Sequence, residues 1–140
     1  MKYFYIKVLL FLFLFLNHAN SMIIKSVEVN GNQRISKETI IVLGSININE
    51  NYDSNDLNIS LKNLYDSNFF SDVKITEENG VLKISVKENP IIEEIEIKGI
   101  KKQSFKDILY DEITLKNRKS FTEIQLKNDL DLINNILKTN

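Results

Sequence analysis

Asp72-Val73-Lys74-Ile75-Thr76-Glu77-Glu78-Asn79-Gly80-Val81-Leu82-Lys83-Ile84-Ser85-Val86 is the stretch that decides the fold. Val73 and Ile75 alternate with Lys74 and Thr76, and Leu82, Ile84 and Val86 alternate with Lys83 and Ser85. A period of two is that of a strand with one buried face. Asn79-Gly80 between the two runs suits the positive φ angles of a tight hairpin turn. The spacing therefore predicts antiparallel strands over 72–78 and 82–88. Asn89-Pro90 ends the second, because proline has no N–H for a ladder.

Upstream, Val27 and Val29 face one way and Ser26 and Glu28 the other, which predicts a strand over 24–29. Asn30-Gly31-Asn32 supplies a turn. Ser36 is a candidate N-cap for a short helix over 37–43, with Ile35 and Ile40 as a hydrophobic staple. Gly44 can end that helix in a left-handed conformation. Asp53-Ser54-Asn55-Asp56 is a second N-cap cluster. Leu57, Leu61, Leu64 and Tyr65 then form one apolar stripe of a helix reaching about residue 67. Phe69-Phe70 reads as core and helix-stop packing. Two helices give the chain enough length to bring the first strand back in parallel beside the hairpin. The expected fold class is α+β: a β-α-α-β-β module with a three-stranded mixed sheet and both helices on one face. Its core would be Val27, Val29, Ile40, Leu57, Leu61, Leu64, Val73, Ile75, Leu82, Ile84 and Val86. So small a module buries only about 60% of its unfolded surface and is marginally stable.

The module starts again further along. Ile24-Lys25-Ser26-Val27-Glu28-Val29-Asn30-Gly31 recurs as Ile92-Glu93-Glu94-Ile95-Glu96-Ile97-Lys98-Gly99, 68 residues on. Ser36, Ile40 and Ile41 fall on Ser104, Ile108 and Leu109 in the same register. After one inserted residue, Leu57, Leu61 and Leu64 fall on Leu126, Leu130 and Ile133. A period of this length means tandem copies of one small unit. The second copy is expected to have a strand over 91–97, helices near 105–110 and 122–138 with Thr122 at the N-cap or in the first turn, and a loop over 116–119. It stops before its last two strands. The expected organisation is thus 1–21 signal peptide, 22–89 first module, and 90–140 second module, incomplete. Strand 91–97 would lack a partner, and Leu126, Leu130, Ile133 and Leu137 would have less sheet to cover. That half is expected to be unstable alone or to pair with another chain.

Lys2 and Lys7 precede an apolar run over 8–16, and Ala19 and Ser21 provide a small-x-small site for a cut after Ser21. This is the pattern of a secretory signal peptide. The alternative is an uncleaved anchor, but nine apolar residues rise only about 14 Å as a helix, against about 30 Å of hydrocarbon. Loss of the two lysines takes the formal charge from −1 to −3, so no global attraction to nucleic acid is expected. The chain has no Cys, which excludes disulfides and thiolate metal sites. Its one His, His18, lies in the signal, so a His-based triad or zinc site is excluded from the mature chain. Glu77-Glu78, Glu94 and Glu96 read as solvated strand faces, and Lys116 to Lys119 as a solvated loop. There is no Gly-rich phosphate loop. Neither an enzyme, nor a cofactor, nor a metal is expected.

Three segments resemble the polypeptide-transport-associated (POTRA) domains of the BamA family of outer-membrane protein assembly factors. They are Ile24 through Val-Asn-Gly-Asn-Gln-Arg-Ile ending at Ile35; Leu61-Lys62-Asn63-Leu64-Tyr65-Asp66-Ser67-Asn68-Phe69-Phe70-Ser71-Asp72-Val73; and Gly80 to Pro90. Glu88, Asn89 and Pro90, followed by the Ile-x-x-Ile-x-Ile-x-Gly restart, look like the junction between two such domains. The resemblance implies a periplasmic arm that receives unfolded outer-membrane proteins and docks accessory assembly lipoproteins. In the family such an arm is held at the outer membrane by a C-terminal barrel, which this sequence lacks. It also implies that the strand before the hairpin turn lies at the sheet edge, so that Asp72, Val73, Lys74, Ile75, Thr76, Glu77 and Glu78 would bind clients by β-augmentation. The alternative is a membrane-anchored interaction module of a cell-division scaffold of the FtsQ type.

Overall fold

The computed structural model describes residues 21–139, so the signal segment read at 1–21 lies outside them apart from Ser21. The chain begins with two strand pieces. β1 (Met22–Ile23) is followed after a two-residue step by β2 (Ser26–Asn30). In that step Ile24 is fully buried. Its N–H donates to Glu50 O and its carbonyl accepts from Asn49 N, so both of its own backbone groups are paired.

α1 (Lys37–Leu43) starts as the sequence suggests, with Ser36 Oγ accepting the Thr39 N–H. Its end differs from expectation. Gly44 has φ −76°, and Ser45 takes the positive angle at φ 53°. A Cβ on Gly44 would lie 2.9 Å from Ile46 Cδ1, and Ile46 is buried. Glycine therefore serves room here rather than handedness. β3 (Asn51–Tyr52) pairs antiparallel with β1, a two-stranded ladder that the hydrophobic pattern did not announce.

α2 (Ser54–Asp66) opens on a reciprocal capping box. Asp53 Oδ1 accepts from the N–H groups of Asn55 and Asp56, and Asp56 Oδ2 accepts from Asp53 N–H. Such caps contribute about 1 kcal/mol. β4 (Phe70–Glu78) and β5 (Val81–Glu88) form the expected hairpin. Asn79 and Gly80 have φ 55° and 83°, the two positive angles of a type I′ turn. The sheet order is β2-β5-β4, with β5 parallel to β2 and antiparallel to β4. The mixed three-stranded sheet and its two covering helices agree with the α+β expectation.

The inward faces of all three strands meet α1 and α2 in one cluster. Ile40, Leu64, Leu82 and Ile84 are fully buried there, with Val27, Val73 and Val86 beside them. Val29, Leu57, Leu61 and Ile75 pack against its margin. Phe70 is in this core as its packing role required, and Ile24, Ile46 and Tyr52, which were not anticipated, are there too. Phe69 and Phe70 divide their roles: Phe70 is buried, while Phe69 is 38% exposed.

The strand expected over 91–97 does not form. Ile91 makes a single bridge with Ser120, and Ile92 exchanges hydrogen bonds with Lys119 and Arg118. Ile95 N–H donates to the Asn117 side chain. Alternating isoleucines supply an apolar face, but a strand also needs a ladder partner. Among the described residues only the loop over 116–121 lies beside it, and that loop turns back through Arg118 at φ 63°. The two later helices do form, as α3 (Gln103–Glu112) and α4 (Glu123–Thr139). Thr122 Oγ1 accepts Gln125 N–H at the start of α4, as its N-cap reading required. Leu109, Ile113 and Leu115 are buried apart from the main cluster. On α4, Leu130 and Leu137 are about half exposed, at 50% and 48%.

Candidate binding edge and junction

Asp72, Val73, Lys74, Ile75, Thr76, Glu77 and Glu78 all lie on β4, which is an outer strand of the sheet. Val73 is buried and Ile75 half-buried against the helices, while Lys74 and Thr76 face solvent. β4 spans nine residues and the opposite edge, β2, only five. The longer strand offers more main chain to a partner.

The hairpin register settles which backbone groups of β4 point outward. Glu78 pairs with Val81 across the two-residue turn, so those residues exchange both hydrogen bonds. Alternation makes Thr76 and Lys74 the next exchanging residues, opposite Lys83 and Ser85. The N–H and C=O groups of Val73, Ile75 and Glu77 therefore face the open edge. One of these sites is already filled from α2. The Tyr65 hydroxyl accepts Val73 N–H at 3.1 Å and lies 3.4 Å from Val73 O. Its own proton also has Asp72 Oδ1 within reach, at 3.2 Å. Below Val73 the ladder is irregular, because Phe70 pairs with Glu88 and Asp72 with Lys87, leaving Ser71 as a bulge.

Glu88, Asn89 and Pro90 form the exit from β5. Glu88 Oε1 accepts three backbone N–H groups from the loop before α1: Gln33 at 2.8 Å, Arg34 at 2.9 Å and Ile35 at 3.0 Å. Oε2 faces Arg34 Nε at 3.0 Å as an ion pair, without hydrogen-bond geometry along that line. The Glu88 side chain is only 7% exposed. Burial opposes its ionisation, but the three N–H donors and the Arg34 guanidinium outweigh it and hold the carboxyl below its ordinary range. Arg34 Nη2 donates to Asn89 O at 2.6 Å, and Asn89 donates from its backbone to Phe69 O and from its side chain to Asn68 O. The exit is thus tied to both ends of the helical layer. Pro90 O then accepts Phe121 N–H. Arg34, Asn68 and Tyr65 were not singled out from the sequence as site residues; their partners lie on other elements, Asn89 being 55 residues from Arg34 and 21 from Asn68, and Val73 8 from Tyr65.

A second buried carboxylate organises the later half. Asp129 on α4 accepts from Thr114 N and Oγ1 and from Leu115 N, at 2.8, 2.9 and 2.8 Å. Here too burial opposes ionisation, and the Thr114 and Leu115 donors, aided by Lys116, prevail to keep the carboxyl below its usual range. Among the described residues no group of His, Asp and Glu is placed to hold a metal ion. No described helix is long and apolar enough to cross a membrane.

Comparison with known proteins agrees with this architecture. Residues 22–89 match the family model described as POTRA, surface antigen variable number repeat. The chain is 32% identical over 75 residues to outer membrane protein assembly factor BamA of Neorickettsia risticii, covering 54% of this chain and 10% of that protein. It is 29% identical over 98 residues to the BamA of Neisseria meningitidis serogroup B, covering 70% of this chain and 12% of the relative. The chain thus spans about a tenth of the length of the curated relatives it matches. Among solved structures, it is similar to POTRA1-2 of the periplasmic domain of Omp85 from Anabaena, with TM-score 0.55 at 14% identity, over 82% of this chain and 77% of that one. The N-terminal domain of Omp85 from Thermosynechococcus elongatus gives TM-score 0.59 at 14% identity, over 86% and 52%. These structural likenesses speak to the fold.

Proposed function

We propose that this chain, whose residues 22–89 are a POTRA domain of the BamA type, works in outer-membrane protein assembly as a periplasmic receiver of unfolded clients. Residues 1–21 act as its export signal, and residues 90–140 belong to a second module of the same kind. Its role is binding rather than catalysis. An extended client adds itself to β4, where main-chain hydrogen bonds provide affinity and demand little of the client's sequence. Tolerance of this kind suits a receiver that meets many different β-rich chains. Accessory lipoproteins of the assembly machinery are the second class of partner. The exit residues Glu88, Asn89 and Pro90 set the direction in which the next module leaves the first.

The observation that carries this reading is the pair of residues, Ile75 and Glu77, whose outward backbone groups stand open on a nine-residue edge strand. The test exploits its phase. Ile75 points its N–H outward, so Ile75→Pro deletes an edge donor while sparing every ladder bond to β5. Lys74 points inward to the ladder, so Lys74→Pro breaks the sheet itself. Photocrosslinking from β4 to an unfolded outer-membrane client is expected to fall several-fold in Ile75→Pro while far-UV circular dichroism stays native. Lys74→Pro is expected to lose the fold. Undiminished crosslinking in folded Ile75→Pro refutes docking at β4.

A further inference from the structure

We infer that Tyr65 is a stop on the binding edge: its hydroxyl and ring occupy the backbone site of Val73 and confine a docking strand to Ile75 and Glu77. This inference rests on the reading of β4 as the docking edge and adds the size and register of the site.

The geometry is specific. A docking strand would place a carbonyl oxygen about 2.9 Å from an outward N–H. At Val73 that position is held by the Tyr65 hydroxyl oxygen, 3.1 Å from the nitrogen. The same hydroxyl lies 3.4 Å from Val73 O and 3.2 Å from Asp72 Oδ1, so its single proton has an acceptor on either side. Tyr65 is on the last turn of α2, and α2 packs on β4, so the ring reaches the edge from a rigid element. Beyond Val73 the Ser71 bulge distorts the strand. At the other end the Asn79-Gly80 turn closes the hairpin, with Gly80 N–H donating to Glu77 Oε1. Among the described residues no side chain bonds to the outward groups of Ile75 or Glu77. What is open is a window two residues apart, about 7 Å long, with two donors and two acceptors.

A window of this size selects its partner. It fits a short extended segment of any sequence with two free N–H and two free C=O groups in strand geometry. It does not fit a long strand paired along the whole of β4. Four main-chain hydrogen bonds give weak, quickly reversed binding. A receiver that must pass its client onward needs that weakness, and Tyr65 enforces it.

Residue-resolved amide exchange by NMR on the full chain tests this, with an eight-residue peptide of alternating threonine and valine as the probe. In the free protein, Val73 N–H is expected to exchange about tenfold more slowly than those of Ile75 and Glu77. Adding the peptide should slow Ile75 and Glu77 and leave Val73 unchanged. Tyr65→Phe keeps the ring and loses the hydroxyl. Val73 should then exchange as fast as Ile75, while the peptide footprint stays the same because the ring still fills the space. Tyr65→Ala opens the site; the footprint should extend to Val73 and the peptide bind about tenfold tighter or more. A wild-type footprint that includes Val73 overturns the stop, as does a Tyr65→Ala footprint that ends at Ile75 in a folded protein. A peptide that slows none of these amides in any variant overturns docking at β4, and with it the stop. The wild-type and Tyr65→Phe measurements stand even if Tyr65→Ala proves poorly folded.

Discussion

Replacing Glu88 should cost this small domain a large share of its stability. Its carboxylate accepts the N–H groups of Gln33, Arg34 and Ile35 through one oxygen and pairs with Arg34 through the other. Hydrogen bonds to a charged acceptor contribute about 1.5–3 kcal/mol each when dry. Gln33 and Arg34 are exposed, and water can replace part of what is lost, so about 1 kcal/mol per bond is the fair value here. The Arg34 side chain is 40% exposed, which limits the ion pair to under about 1 kcal/mol. Glu88→Ala should therefore lower the unfolding free energy by about 3 kcal/mol, where a domain of this size has about 4–10 in all. Glu88→Gln keeps one acceptor oxygen and should lose about half as much. Urea unfolding followed by circular dichroism measures both. The pH dependence has a definite sign. The folded carboxyl titrates below its unfolded value of about 4.3, so its contribution is complete above that pH and is lost as pH falls through the folded value. The gap between wild type and Glu88→Gln should thus close as pH falls from about 5 towards 2. Asp129 titrates in the same direction, but it is present in both proteins and cancels in the difference. An alanine variant within about 0.5 kcal/mol of wild type at pH 7 would refute the locked exit. A gap that widened in acid would refute its electrostatic account.

The two repeat glycines should respond unequally to alanine. Both have positive φ, 84° at Gly31 and 85° at Gly99, which alone costs about 1–2 kcal/mol for a residue with a Cβ. At Gly31 the new Cβ would also lie 2.1 Å from Val86 O, whereas at Gly99 nothing stands within 4 Å. Thermal unfolding should show Gly31→Ala as clearly the more damaging, and equal shifts would contradict the close approach of Gly31 to β5. Asp129→Ala strips the partners from the Thr114 and Leu115 N–H groups. The Leu115 amide should exchange about tenfold faster or more, with the β4 and β5 amides unchanged; protection lost equally across both halves would show that they unfold as one unit.

Much of the first module was legible because its signals are local. Asn79-Gly80 demands positive φ at adjacent residues, Ser36 and Asp53 reach N–H groups two or three residues on, and the leucine stripe of α2 follows the helical period. All of these need only a short window of chain. The parts that escaped depend on distance. The resemblance marks Glu88 as a junction residue, but the partners of its carboxylate come into view only when β5 is set beside the loop that carries Gln33 to Ile35. Tyr65 reads as the last member of an apolar stripe, and its hydroxyl acquires meaning only when α2 lies across β4. Gly44 reads as a left-handed cap, yet the bulk of Ile46 fixes its use, and Ser45 absorbs the positive angle instead. β1 and β3, at two residues each, are too short to show any period.

The repeated octet separates what a local sequence can specify from what it cannot. Gly31 and Gly99 adopt the same φ to within a degree, so the turn that ends the octet is carried by the local sequence in both places. The strand before it is not. Val27 and Val29 lie in a ladder with β5 in parallel register, while Ile95 and Ile97 reach no ladder at all. Both octets alternate apolar and polar residues, and the second is if anything richer in isoleucine, a strong strand former. Propensity therefore does not explain the difference. What differs is the neighbour: Leu82 and Ile84 of β5 lie opposite Val27 and Val29, whereas the segment of Ile92 and Ile95 meets only a turning loop among the described residues, through Asn117, Arg118 and Lys119. Alternation makes a chain segment ready to become a strand, and a second segment must complete it. The same physics underlies the proposed activity, in which β4 has one such neighbour in β5 and holds Ile75 and Glu77 open to another.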